Sequence, residues 1–171
     1  MALSEPKRGG VDSEDDQELA FRSVMGAFAT GVTVVTAVDA EGRIHGMTVN
    51  SFTSVSLSPR LVLWCLGDRA RRYSVFAEAG AWGVTILGAG DEALARRFAN
   101  VNTSLVGADE TLGGFEAPLL RAGIAHLGCR THQRMRGGDH LIIVGEVEAF
   151  RVTPGAGLTF FRGRYGAADD V

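Results

Sequence analysis

Residues 28–56, FATGVTVVTAVDAEGRIHGMTVNSFTSVS, constrain the fold more than any other stretch, because they hold two β-rich runs joined by a short turn. Val32, Thr33, Val34, Val35, Thr36 and Val38 are β-branched and suit a pleated, partly buried surface. Asp39, Ala40, Glu41 and Gly42 supply the turn. The spacing then predicts a second strand over 48–57. It puts Thr48, Asn50, Phe52, Ser54 and Ser56 on one face, and Val49, Ser51, Thr53, Val55 and Leu57 on the other. The first face is polar around one aromatic ring, which fits either solvent or a flat ligand with polar edges.

The rest of the chain continues in short strands. Leu19, Phe21, Val24, Met25 and Phe28 approximate helical spacing, so residues 16–29 read as an amphipathic helix capped by Ser13 or Asp15. The apolar run 61–66 behind Pro59 reads as a strand buried on both faces. Asp68 caps a short helix carrying Tyr73, Phe76 and Ala77, which Gly80 stops. A strand over 82–87 leads to Asp91 and a helix whose Leu94, Ala95 and Phe98 share a face. Residues 101–119 are loop-rich, 124–132 and 141–151 are long strands around a 134–139 turn, and 158–161 closes the sheet. Few short helices among many hairpin-linked strands imply a mainly β, closed antiparallel barrel with peripheral helices, not a doubly wound α/β sheet.

A chain of 171 residues with 46% hydrophobic content supports one domain with a real core. Residues 1–15 have little to bury and read as a disordered or loosely ordered tail, 16–166 as the folded domain, and 167–171 as a C-terminal tail. Net charge of −3 and a pI near 5.8 argue against a nucleic-acid binder, which needs a basic stripe. Basic residues cluster only locally, at Arg69, Arg71 and Arg72 and at Arg130, Arg134 and Arg136, enough for one dinucleotide. No apolar stretch of about 18 residues is present and the N-terminus is too charged for a signal peptide, so a cytoplasmic protein is expected. Cys65 and Cys129 read as buried, reduced small hydrophobes.

Two patterns imitate known sites. The run 88–93, GAGDEA, matches G-x-G-x-x-A, but the second parallel strand of a dinucleotide unit has no counterpart in 101–108, so a helix cap is the better reading. His126, Cys129 and His132 have ligand-like residue types, yet on a strand the two histidines lie roughly 20 Å apart on one face, with Cys129 on the other. Two partly exposed histidines and a core thiol are expected there, and no metal.

Four segments taken in order point further: FATGVTVVT, HGMTVNSFTSVSLSPRLVL, Gly137-Gly138-Asp139-His140 before an apolar strand, and LTFFRGRYG. Together they resemble the short-chain flavin reductase family, the reductase components of two-component flavin-dependent monooxygenases, over roughly residues 18–166. The resemblance implies an antiparallel split β-barrel of the FMN-binding type. It also implies hydride transfer from NADH, less so NADPH, to FAD, with FMN possible as the acceptor. A homodimer and a partner monooxygenase that receives reduced flavin follow from the same resemblance.

It further implies site residues. Thr30, Gly31 and the stretch Met47, Thr48, Val49, Asn50, Ser51, Ser54, Val55 and Ser56 match flavin-contacting segments. Backbone amides beside Val49, Asn50 and Ser51 suit the ring carbonyls and nitrogens, and Asn50 offers both donor and acceptor. Ser54 and Ser56 suit the ribityl chain or phosphate. Arg69, Ala70 and Arg71, with Arg72, stand near a helix start and suit phosphate groups; solvated charge is the ordinary alternative. Phe98 and Ala99 precede Asn100 where the family has Gly, and Val49 replaces a common Ala. Gly138, Asp139 and His140 would border the nicotinamide, with His140 as the catalytic candidate, though bare pattern alone makes this a hairpin turn. Tyr165 covers the cofactor from the last strand, or serves as a core or dimer aromatic.

Hydride transfer between two rings needs no nucleophile and no strong base, so the lack of a triad or paired carboxylates is consistent with this chemistry. A flavin- or haem-binding barrel without turnover is the alternative from another class. An oxidase acting on a phosphorylated substrate would need a phosphate pocket that nothing in the sequence indicates.

Overall fold

The structure is a computed structural model and describes residues 13–100, 105–113 and 115–169. Helix α1 (Glu14–Gly26) starts at Ser13, whose hydroxyl and the Asp16 side chain form a reciprocal capping box. The helix is shorter than the expected 16–29 and ends at Ala27; none of its residues is buried. The expected N-terminal tail lies mostly outside the described residues, but Ser13 to Asp15 belong to this cap and first turn.

Strands β1 (Thr30–Gly31), β2 (Thr33–Val38), β3 (Ile44–Val49), β4 (Thr53–Leu57) and β5 (Arg60–Gly67) follow, then α2 (Tyr73–Glu78), β6 (Ala81–Ile86) and α3 (Glu92–Ala99). A small ladder of β7 (Thr111–Leu112) and β8 (Leu119–Leu120) precedes the long hairpin of β9 (Ala125–Gly137) and β10 (His140–Val152). Strands β11 (Gly157–Phe161) and β12 (Arg164–Ala168) end the described chain.

Seven strands form one antiparallel sheet in the order β3-β2-β6-β9-β10-β5-β4. Its two edge strands are consecutive in sequence. In a flat sheet they would stand roughly 29 Å apart at about 4.8 Å per strand. The linker 50–52 reaches about 14 Å at most, so the sheet must roll until its edges approach. They are not hydrogen-bonded to each other, and the result is a split barrel.

That roll corrects the expectation of one continuous strand over 48–57. The ladder of β3 with β2 stops at Val49, and pairing resumes at Thr53 on β5. Thr48, Asn50, Phe52, Ser54 and Ser56 therefore do not share a face. Nor does 158–161 close the main sheet: β11 lies between β1 and β12 in a separate three-stranded sheet, and β12 carries Ala167 and Ala168, assigned above to a tail.

The core runs along the inner face. Trp64 stacks edge-on against Phe76 and Trp82, with ring centroids 5.8 Å and 6.0 Å apart. Only one face of β5 is fully buried (Val62, Trp64 and Leu66), whereas Leu61, Leu63 and Cys65 are half-buried, because β5 neighbours the barrel edge. Asp68 does not cap α2, whose N-cap position is Arg72; it receives both Nη groups of Arg136 at 2.8 Å instead.

Candidate functional site

Helix α3 is seated on β3 by a close approach. A side chain at Gly46 would place its Cβ 2.8 Å from the Phe98 ring, and the Thr48 hydroxyl donates to the Ala95 carbonyl at 2.8 Å. This brings the end of α3 to the end of β3. The antiparallel register then pairs Thr30 with Phe160 and Phe160 with Tyr165, which carries the β11–β12 hairpin to the same place. Val32, Thr48, Val49, Asn50, Ala99, Phe160 and Tyr165 line an open cavity of about 180 Å³. It takes part of a flat ring system and is too small for a whole dinucleotide.

Beside this cavity, the Thr30 hydroxyl is buried with no hydrogen-bond partner. A buried hydroxyl without a partner is costly unless a ligand completes it. The exposed amide of Asn50 and the rings of Phe160 and Tyr165 in the cavity wall suit a carbonyl- and nitrogen-edged flat ring such as a flavin, so the residues present fit that group.

The 50–52 corner extends the site toward β5. Ser51 Oγ accepts from Cys65 N at 3.0 Å, tying the corner to β5 two residues before Gly67. Gly67 pairs with His140, whose ring lies over it: a Cβ there would sit 3.4 Å from Nε2. The β9–β10 hairpin turns tightly through Gly138 and Asp139, with Gly138 at a φ of 66°. The ladder therefore runs to the tip, and Arg134 and Arg136 lie in β9, not in the expected 134–139 turn.

His140 Nδ1 stands 2.8 Å from Asp139 Oδ1. The hydrogen bond from His140, followed by its charge and that of Arg69, holds the Asp139 carboxyl below the usual range. As the carboxylate accepts, Nδ1 is the donor, and a neutral His140 keeps its lone pair on Nε2.

Of the residues singled out by sequence, Thr48, Val49, Asn50, Ala99 and Tyr165 share the cavity wall, with Thr30 and Gly31 one register step away. Val32 and Phe160 were missed. Phe160 sits in the aromatic C-terminal motif, where its pairing with Tyr165 was the available signal. Met47 packs on the main core, as does Ala70, and Phe98 is buried beneath α3. Ser54 and Val55 are exposed on edge strand β4, and Ser56 Oγ accepts from Ser58 N. Arg69 acts on Asp139.

Arg71 and Arg72 face elsewhere. They line a separate groove of about 590 Å³ with Asp39, Arg43 and His45. There Asp39 accepts from His45 Nε2 at 2.7 Å and from Arg43 N and Nε at 2.8 Å, which pins the β2–β3 turn.

His126 is buried, not partly exposed, with Nε2 bonded to the Ala122 carbonyl at 2.8 Å. Burial, then Glu148, pushes the Cys129 thiol up to about 12, and Cys65 is half-buried. Among the described residues, no three His, Cys, Asp or Glu gather as a metal site, and no helix is long and apolar enough to cross a membrane.

Residues 25–169 match the family described as flavin reductase like domain. The chain is 44% identical over 163 residues to the NADH-dependent FAD reductase of Streptomyces globisporus, covering 91% of this chain and 87% of that protein. It is 41% identical over 147 residues to FMN reductase (NADH) SmoA of Agrobacterium fabrum, covering 86% and 84%. The styrene monooxygenase flavin reductase of Pseudomonas putida S12 superposes with a TM-score of 0.79 at 31% identity, covering 88% of this chain and 99% of that one. Against another relative, from Rhizobium meliloti and 41% identical, the match takes in 85% of this chain but only 47% of the relative's length.

Proposed function

The chain belongs to the flavin reductase like family, and from that premise we propose that it transfers a hydride from NADH to FAD or FMN, an activity of the EC 1.5.1 type. The reduced flavin goes to a separate monooxygenase component. One juxtaposition supports this: the cavity at Thr48, Asn50 and Tyr165 borders the 50–52 corner, which Ser51 ties to β5 two residues before Gly67, the ladder partner of His140.

Bound flavin supplies a ring that accepts hydride and carries the electrons away. The protein's part is position. Asn50 and the backbone amides around it hold the polar edge of the ring, and Thr30 adds a hydroxyl. Phe160 and Tyr165, with centroids 5.2 Å apart, wall the cavity with flat apolar surface. Ser51, tied to β5, keeps the corner rigid. His140, oriented through Nδ1 by Asp139, presents Nε2 to the reduced nicotinamide and positions it without acting as an acid.

A homodimer is part of the proposal. Leu19, Phe21, Val24, Met25 and Phe28 are each more than half exposed, and Leu57 is 91% exposed. Apolar exposure on this scale is what an interface covers. A second copy of this chain is the proposed cover, to be read as molar mass in solution by light scattering.

Mixing the purified protein with NADH and either flavin is expected to deplete nicotinamide absorbance in a flavin-dependent way. Tight flavin binding without NADH oxidation would make the chain a binding module; no oxidation and no binding would end the proposal.

A further inference from the structure

The hairpin of β9 and β10 outreaches its neighbour. Strand β6 pairs with β9 only from Ala125 to Arg130, so among the described residues no strand flanks the outer edge of β9 from Thr131 to Gly137. Side chains reach from that edge to α2 and the loops beside it instead. The Thr131 hydroxyl and Arg134 Nη2 both donate to the Ala79 carbonyl, at 2.7 Å and 2.8 Å. Nearer the tip, Arg136 Nη1 and Nη2 donate to Asp68 Oδ1 and Oδ2, each at 2.8 Å, and Nη1 lies 3.3 Å from the Tyr73 hydroxyl.

The Arg136 to Asp68 pair bridges the hairpin tip. Arg136 is on β9 and Asp68 directly follows β5, while β10 runs between those two strands. The register pairs Arg136 with Leu141, and His140 with Gly67. Successive residues of a strand alternate faces, so Arg136 lies on the face opposite the one that carries the imidazole. Asp68 grips the tip a second time, its N–H donating to the Asp139 carbonyl at 2.9 Å. A guanidinium fork on a carboxylate fixes direction as well as distance. The two side chains are 62% and 33% exposed, so the pair adds little to global stability and acts locally. At the turn itself little else packs, since a Cβ on Gly138 would meet nothing within 4 Å.

Resting on the flavin reductase reading, we propose that Arg136 is a positioning residue for hydride transfer: with Asp68 it clamps the Gly138-Asp139 turn from behind, so that His140 meets the reduced nicotinamide from a fixed place over Gly67. Arg136 acts through His140 and not on the dinucleotide itself.

The test combines steady-state kinetics with hydrogen exchange on the full chain. Arg136→Gln is expected to raise the NADH KM by on the order of fivefold, the upper range for an exposed ion pair, with flavin affinity unchanged. In a His140→Ala background the same substitution should add nothing further. Amide exchange in the peptide over 137–142 should speed up by a similar factor. Arg130→Gln, which breaks the exposed pairs with Glu116 and Glu148 on the same strand, should change neither readout. Should Arg136→Gln fail to fold, Arg136→Lys, which keeps the charge and loses the fork, should give a smaller shift of the same kind. An unchanged NADH KM, or an equal rise with and without His140, overturns the positioning role. If the wild type oxidises no NADH with either flavin, the flavin reductase reading fails; unchanged exchange over 137–142 in Arg136→Gln would then overturn the clamp separately.

Discussion

His140 stands directly across the ladder from Gly67, and its imidazole lies over that residue, where a Cβ would meet Nε2 at 3.4 Å in ordinary contact. Held there by Asp139, the ring is oriented before any ligand arrives. His140→Ala is therefore expected to raise the NADH KM by on the order of tenfold, the worth of roughly one hydrogen bond, with little change in flavin affinity. Asp139→Ala should move the NADH KM in the same direction by less. Steady-state kinetics with flavin titrations on each variant checks this, and equal losses for flavin and NADH would contradict it.

The unpartnered Thr30 hydroxyl predicts effects of opposite sign. Thr30→Val removes a polar group that the free protein leaves unsatisfied, so the flavin-free protein should gain about 1 kcal/mol in urea unfolding. Flavin binding should weaken at the same time. A variant that loses stability and keeps its affinity would show that the hydroxyl faces no ligand.

Gly83 lies where a side chain cannot fit. A Cβ there would collide with the Pro118 carbonyl oxygen and stand 2.6 Å from Thr36 Oγ1, which itself donates to Pro118 O. Gly83→Ala is expected to lose about 3 kcal/mol in urea unfolding. Gly80→Ala, with nothing within 4 Å of its Cβ, should stay within about 0.5 kcal/mol of wild type.

Burial at Asp39 acts to raise its pKa, but hydrogen bonds from His45 and Arg43 outweigh it and hold the carboxyl well below the usual range. A depressed folded-state pKa contributes stability that is complete above the unfolded value of about 3.9 and is lost as pH falls through the lower folded value. Asp39→Asn should therefore lower the Tm at neutral pH, and the gap to wild type should close as pH drops below about 4. Thermal unfolding followed by circular dichroism from neutral to acid pH measures it.

Local pattern made much of this architecture legible. The β-branched run of β2, the turn at Asp39, the α3 face of Ala95 and Phe98, and the Gly-Asp hairpin are short-range features, and the structure has each of them. The cavity wall was partly legible, since Thr48, Val49, Asn50 and Tyr165 lie in the motifs that raised the family resemblance, and Ala99 in a segment that the resemblance implied. Arg71 was not: proximity in sequence to a helix start says nothing of which groove the side chain enters, and here it turns toward Asp39 and His45.

The sequence by itself determined the strands, most turns and the residues that bring hydroxyls, amides and rings to a ligand, because those depend on side-chain shape and a two-residue period. Tertiary structure alone decided that the run through 50–52 breaks and that the C-terminal hairpin meets β3. The physical reason is closure: a three-residue link between the two edges of a seven-stranded sheet forces the sheet to roll, and only in the rolled sheet do Asn50 and Tyr165 line the same cavity.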